Sequence, residues 1–125
     1  MRKFCILVVE DHAVTRKNIG RVLQLEGFDV LAAATGKEAL TLFTPDVNLV
    51  LTDVLMPEIE GGELITRLRQ VAPHIPIIVM TAMGTGELWK DMQRCGATDF
   101  IVKPLDLSSL VARIRTLLPA ENAEN

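Results

Sequence analysis

Five short, mostly apolar runs recur along the chain, at residues 4–9, 28–33, 47–52, 76–80 and 97–102. Between them, apolar residues fall at the three- and four-residue spacing of helices. Runs that are apolar rather than alternating belong to strands covered on both faces. Strands of that kind, each followed by a helix, build a parallel sheet with helices on both sides. A closed eight-unit barrel would need about twice the 125 residues present. The expected fold class is therefore α/β, an open five-stranded parallel sheet, doubly wound.

The helical segments read as follows. Val14, Ile19, Val22, Leu23 and Leu25 supply the first, closed by Glu26-Gly27. Ala39, Leu40 and Phe43 mark a short second helix, stopped near Pro45. Leu64, Ile65 and Leu68 mark a third, reaching about Val71. Leu88, Met92 and Cys95 share a stripe on the fourth. Leu107, Leu110, Val111, Ile114 and Leu117 give the fifth its apolar face.

Composition narrows the function classes. Hydrophobic residues at 49% and charged residues at 23% describe a globular chain, not a disordered one. The net charge of −3 argues against nucleic acid, which needs a concentrated basic face. The longest apolar run, interrupted by Pro76, is far short of the ~20 residues of a membrane span. No direct nucleic-acid or membrane binding by this domain is expected. The opening MRKFCILVVE resembles the start of a secretion signal, but Glu10 and Asp11 end it and no small-residue cleavage site follows. It reads as a buried strand. Cys5 and Cys95 have no ligand spacing and read as reduced thiols of a cytoplasmic protein.

Open doubly wound sheets place their sites past the carboxyl ends of the strands, where strand order switches. Glu10 and Asp11 stand there after the first run, Asp53 after the third, Thr81 after the fourth and Lys103 after the fifth. Three converging carboxylates repel one another unless a cation sits among them. An all-oxygen set suits Mg2+, which readily keeps phosphate as a ligand. Lys103 is a point charge suited to phosphoryl oxygens, and the Thr81 hydroxyl can donate to another. Neither G-x-x-x-x-G-K-[ST] nor a G-x-G-x-x-G after the first strand is present, and Gly84-x-Gly86 reads as a flexible loop. With no nucleotide cradle, the phosphoryl group is expected on the protein itself. Asp53 is the natural acceptor, as an acyl phosphate.

Four motifs carry a family resemblance: ILVVED at 6–11, LTDVLMPEIEGG at 51–62, IIVMTA at 77–82 and GATDFIVKP at 96–104. In this order and spacing they resemble the receiver domain of two-component response regulators, the chemotaxis-type, CheY-like family. The resemblance covers residues 2–118. It implies a flavodoxin-like (βα)5 three-layer sandwich, with a receiver domain at 1–118 and a polar tail or linker stub at 119–125. It also implies a phosphorylation-activated signalling switch of a phosphorelay. Asp53 would accept a phosphoryl group from a histidine kinase or histidine phosphotransfer protein. Glu10, Asp11, Asp53 and the backbone carbonyl of Leu55 would hold Mg2+. Thr81 and Lys103 would bind phosphoryl oxygens, and Phe100 would act as the switch aromatic. Met56-Pro57 and Gly61 would shape the loop around Asp53. The helix 4–strand 5–helix 5 surface would signal to a downstream output protein or domain, and a phosphorylation-dependent homodimer is among the outcomes this allows. Such a domain assists its own phosphorylation and dephosphorylation but is not a turnover enzyme.

Several residues depart from the commonest pattern or admit two readings. Glu10 stands where Asp is commoner and reaches farther. Leu55 and Met83 flank the path of the attacking water, and both are apolar, so the phosphorylated form is expected to be long-lived. Trp89 either packs partly inward or anchors a partner on the output face. His12 reads as a loop or cap residue. Phe100 lacks a tyrosine hydroxyl, so packing alone would hold any inward state. One alternative is a degenerate receiver acting as a protein-interaction or dimerisation module, which failure to bind Mg2+ would favour. Another is a Mg2+-dependent phosphatase, which turnover of a small phosphoester would favour. Such hydrolases usually place a second acid two residues after the nucleophile, where Leu55 stands here.

Overall fold

Each apolar run forms a strand and each helical pattern a helix in the computed structural model, which describes residues 3–54, 61–82 and 84–119. In chain order these are β1 (Cys5–Val9), α1 (Ala13–Leu25), β2 (Asp29–Ala33), α2 (Gly36–Leu42), β3 (Val47–Asp53), α3 (Gly61–Val71), β4 (Ile77–Thr81), α4 (Gly86–Cys95), β5 (Asp99–Val102) and α5 (Leu107–Leu117). All neighbouring strands are parallel, in the order β2-β1-β3-β4-β5. This is the expected doubly wound (βα)5 sandwich.

The two-residue alternation of strands divides the core into two layers. Ile6, Val8, Leu49, Leu51, Ile78 and Met80 pack against Ile19 and Leu23 of α1 and Leu110 and Ile114 of α5. Leu7, Val9, Val50, Ile77 and Val79 face the other way, onto Ala39 of α2, Leu64, Ile65 and Leu68 of α3, and Met92 of α4. The edge strands depart from full coverage: Asp29 on β2 and Val102 on β5 are exposed. An edge strand has a neighbour on one side only, so the helices cover it less. One irregularity interrupts the central ladder, where Asn48 bulges between the Cys5–Val47 and Ile6–Leu49 pairs. Its Oδ1 accepts from Cys5 N at 2.8 Å and so replaces the displaced ladder bond.

Two helical assignments change. Val14 and Leu25 are 63% and 79% exposed and do not belong to the buried face of α1. At about 100° per residue they stand well off the Ile19–Leu23 stripe that meets the sheet. The fifth strand begins at Asp99, two residues later than the run suggested. Residues 96 and 97 are used to close α4, where Gly96 N and Ala97 N both donate to Met92 O, at 3.1 and 2.9 Å.

Gly96 closes that helix with φ +116°, a conformation that favours glycine. Its carbonyl accepts from Arg69 Nε at 2.9 Å, while Arg69 also donates to Ile75 O and to Thr98 Oγ1. One guanidinium thus ties the end of α3 to the entrances of β4 and β5, and burial lowers its pKa. A Cβ at position 96 would lie 2.7 Å from Arg69 Cγ. Gly96→Ala should therefore lose about 2 kcal/mol, from left-handed backbone strain together with the displaced arginine. Urea denaturation measures this; a loss below about 0.5 kcal/mol would mean that Arg69 relaxes freely.

Candidate functional site

The chain runs from β1 outward to β2, then returns across the sheet to place β3 on the other side of β1. The carboxyl ends of β1 and β3 therefore flank the switch point, where an open α/β sheet forms a crevice. Glu10 lies two residues beyond Val8, Asp53 two beyond Leu51 and Lys103 two beyond Ile101. Strand alternation gives all three the α1–α5 face. There Lys103 Nζ donates to Glu10 Oε1 at 2.5 Å and to Asp53 Oδ2 at 2.8 Å. Carboxylate oxygens of Glu10, Asp11 and Asp53 lie within 4.8 Å of one another. Glu10 is wholly buried and Asp53 nearly so, whereas Asp11 is exposed. Thr81 is buried at the end of β4, and its carbonyl accepts from Lys103 N at 2.6 Å. Phe100 belongs to the opposite face, its ring centroid 5.2 Å from that of Trp89 at a 47° tilt.

Burial pushes the Glu10 carboxyl above its ordinary pKa, and the bonds from Lys103 and His12 N oppose that shift without cancelling it. Burial alone would lower the Lys103 pKa, but Asp53 and Glu10 together outweigh it and hold the ammonium charged. Three carboxylates against one ammonium leave two formal negative charges in excess. A hard divalent cation matches that excess, and the exposed Asp11 leaves room for its retained waters. The residues fit Mg2+, with Glu10, Asp11 and Asp53 as the side chains that would hold it.

A raised carboxyl pKa means that the fold favours neutral Glu10. Its contribution to stability is present below the unfolded pKa and is lost as pH rises through the folded one. At pH 7 without Mg2+, Glu10→Gln should therefore melt at a higher temperature than wild type. With Mg2+ at ten times its Kd, wild type should gain about 1.4 kcal/mol, and most of this gain should disappear in the variant. Thermal melts with and without Mg2+ check both signs. A lower melting temperature for Glu10→Gln without the metal would show that the Lys103 bond outweighs burial.

Residues that sequence patterns did not single out support this cluster. Arg16, on α1, donates to Glu10 O at 2.8 Å and to Asp11 O at 3.4 Å, fastening the loop that carries both acids. A basic residue in a helix gives no periodic signal of such a role. His12 is the N-cap of α1, its ring Nδ1 accepting from Thr15 N at 3.3 Å. The loop-or-cap reading of His12 therefore stands. Trp89 is half-buried against Phe100, in line with the inward-packing reading. Cys5 and Cys95 are unpaired thiols, and burial raises that of Cys5. Leu55, Met56-Pro57, Met83 and residues 120–125 lie outside the described residues. Among the described residues, no helix is long and apolar enough to cross a membrane.

Comparison with known proteins locates this geometry. The family model for the response regulator receiver domain matches residues 6–115. The probable transcriptional regulator ycf27 of Porphyridium aerugineum is 39% identical over 119 residues, covering 94% of this chain and 49% of that protein. Among solved structures, Vibrio cholerae chemotaxis protein CheY4 superposes with a TM-score of 0.88 at 27% identity, over 94% of this chain and 100% of that one. The CheX-CheY-BeF3-Mg2+ complex from Borrelia burgdorferi gives 0.86 at 30% identity, over 91% and 88%. The chain spans about half the length, or less, of the curated relatives it matches.

Proposed function

The chain belongs to the response regulator receiver family, and from that premise we propose that Asp53 is the phosphoacceptor of a phosphorelay switch. The domain is a phosphorylation-controlled signalling element that uses Mg2+, not a turnover enzyme. The observation that carries the reading is the pair of hydrogen bonds that Lys103 Nζ donates to Glu10 and Asp53 beside Asp11. The donor is a phosphohistidine of a histidine kinase or phosphotransfer protein, met in the cytoplasm. A groove between α1 and the segment before α5, lined by Ile19, Pro104, Leu105 and Leu107 together with Thr15 and Asn18, includes Lys103 in its wall. A donor helix seated there would bring its histidine toward Asp53.

An Asp53 carboxylate oxygen attacks phosphorus in line with the bond to the donor imidazole. The P–O bond forms as the P–N bond breaks, and the imidazole nitrogen keeps the electron pair. Bound Mg2+ supplies charge neutralisation for the phosphoryl oxygens. Glu10, Asp11 and Asp53 would hold that metal, with the Leu55 carbonyl expected to join them, while Lys103 transfers its bond from the carboxylate to the phosphoryl group. The Thr81 hydroxyl is drawn to another phosphoryl oxygen. The bond from Lys103 N to Thr81 O links the end of β4 to β5. Through it, and through Phe100 against Trp89, the change reaches the α4–β5–α5 surface. An output partner, an output domain or a second copy reads it there.

Incubation with acetyl phosphate and Mg2+ should add about 80 Da to the intact mass, absent without the metal, and should change Trp89 fluorescence. No gain, together with no binding of beryllofluoride, would favour the interaction module. The apolar Leu55 and Met83 cannot orient water, so hydrolysis should be slow. A half-life of only seconds, measured with no phosphatase present, would overturn that expectation.

A further inference from the structure

Thr52, the penultimate residue of β3, is wholly buried on the face opposite Asp53. Its neighbours across the ladders are Val9 on β1 and Val79 on β4. Along its own strand the flanking residues on that face are Val50 and Val54. Valine has the shape of threonine and occupies all four of these neighbouring positions, so packing at this place in the sheet does not call for a hydroxyl. The hydroxyl instead donates to the Asp53 carbonyl at 2.9 Å. The next amide, Val54 N, donates to Met80 O at 3.1 Å. The peptide that follows Asp53 is thus held at its oxygen by Thr52 and at its N–H by β4.

We propose that Thr52 is a positioning residue for the phosphoacceptor, fixing the peptide plane from which the Asp53 carboxylate is aimed at Lys103. The proposal rests on the reading of Asp53 as acceptor. β3 ends at Asp53, whose pairing with Met80 is the last of the β3–β4 ladder, so the bonds at Thr52 Oγ1 and Val54 N act where that ladder stops. With that peptide fixed, ψ at Asp53 sets the direction of the Cα–Cβ bond, and a change in ψ would turn the carboxylate away from Lys103 Nζ, 2.8 Å distant, and from the oxygens of Glu10 and Asp11. Such small displacements are costly to a transfer that depends on alignment.

Two substitutions separate the hydroxyl from the shape. Thr52→Val keeps the shape and loses the hydroxyl, whereas Thr52→Ser keeps the hydroxyl and loses a methyl group. A packing role makes Thr52→Ser the worse variant; a positioning role makes Thr52→Val the worse. The measurement is the rate of phosphorylation by acetyl phosphate across a Mg2+ titration, with melting temperature recorded alongside. Thr52→Val should slow phosphorylation about tenfold, and Thr52→Ser should stay within about twofold of wild type despite its lower melting temperature. Wild-type rates in Thr52→Val, or an equal loss in Thr52→Ser, would overturn the proposal. Should Thr52→Val fail to fold, the rate of Thr52→Ser decides alone, since loss of the wild-type rate there contradicts the proposal. A wild-type protein that takes up no phosphoryl group would instead bring down the acceptor reading, and the positioning role with it.

Discussion

Asp53→Ala should take up no phosphoryl group from acetyl phosphate under conditions expected to load the wild-type chain. The expected fall in rate is on the order of a hundredfold or more, as for loss of an attacking group. The site explains why no neighbour substitutes. Glu10 is wholly buried and bonded to Lys103, so its oxygens cannot reach an incoming donor without breaking that pair. Asp11 is exposed, but it sits on a loop fastened by Arg16, and in the proposed site its carboxylate would be taken up by Mg2+. Intact-mass spectrometry gives the answer directly, as the absence of the ~80 Da increment. An Asp53→Ala protein that still gains it at the wild-type rate would move the acceptor elsewhere in the chain. The variant should remain folded, because removing one carboxylate lessens repulsion in the cluster.

Lys103→Met has the second large effect, on stability as well as chemistry. Lys103 lies between two carboxylates whose side chains are only 1% and 11% exposed. Removing the cation from a buried ion cluster leaves uncompensated charge and typically costs 3–5 kcal/mol. Lys103 itself retains some solvent contact, so the lower end applies, about 3 kcal/mol or roughly 10 °C in melting temperature. Mg2+ should restore part of this, since it neutralises the same oxygens, and the variant should depend on Mg2+ for stability more than wild type does. Urea denaturation with and without Mg2+ tests both statements. A Lys103→Met chain as stable as wild type without metal would show that the bridge contributes nothing. Phosphoryl uptake should fall too, because no ammonium remains to balance the transferring group.

Much of this arrangement was legible in the amino-acid order because its signals are local. An apolar run followed by a helical spacing identifies a strand and a helix from neighbouring residues alone. A parallel sheet then requires every strand to end at the same edge. Glu10, Asp11, Asp53, Thr81 and Lys103 could be gathered into one site for that reason, although Glu10 and Lys103 are 93 residues apart. The apolar side chains of Val14 and Leu25 were misleading because periodicity identifies an apolar residue without saying whether another element covers it.

What the tertiary structure alone decided depends on which elements become neighbours. The order β2-β1-β3-β4-β5 sets β1 beside β3 and so brings Glu10 against Asp53. Lys103 reaches both carboxylates because β4 and β5 extend the sheet on that side and strand alternation turns its side chain to their face. The grip of Arg16 on two loop carbonyls, that of Arg69 on the ends of α3 and α4, and the bond from Thr52 to Asp53 O leave no trace in periodicity or composition. Side-chain hydrogen bonds to backbone depend on angles and distances that many sequences could satisfy. Residue order therefore determined which groups meet at the sheet edge, and packing determined how they are aimed.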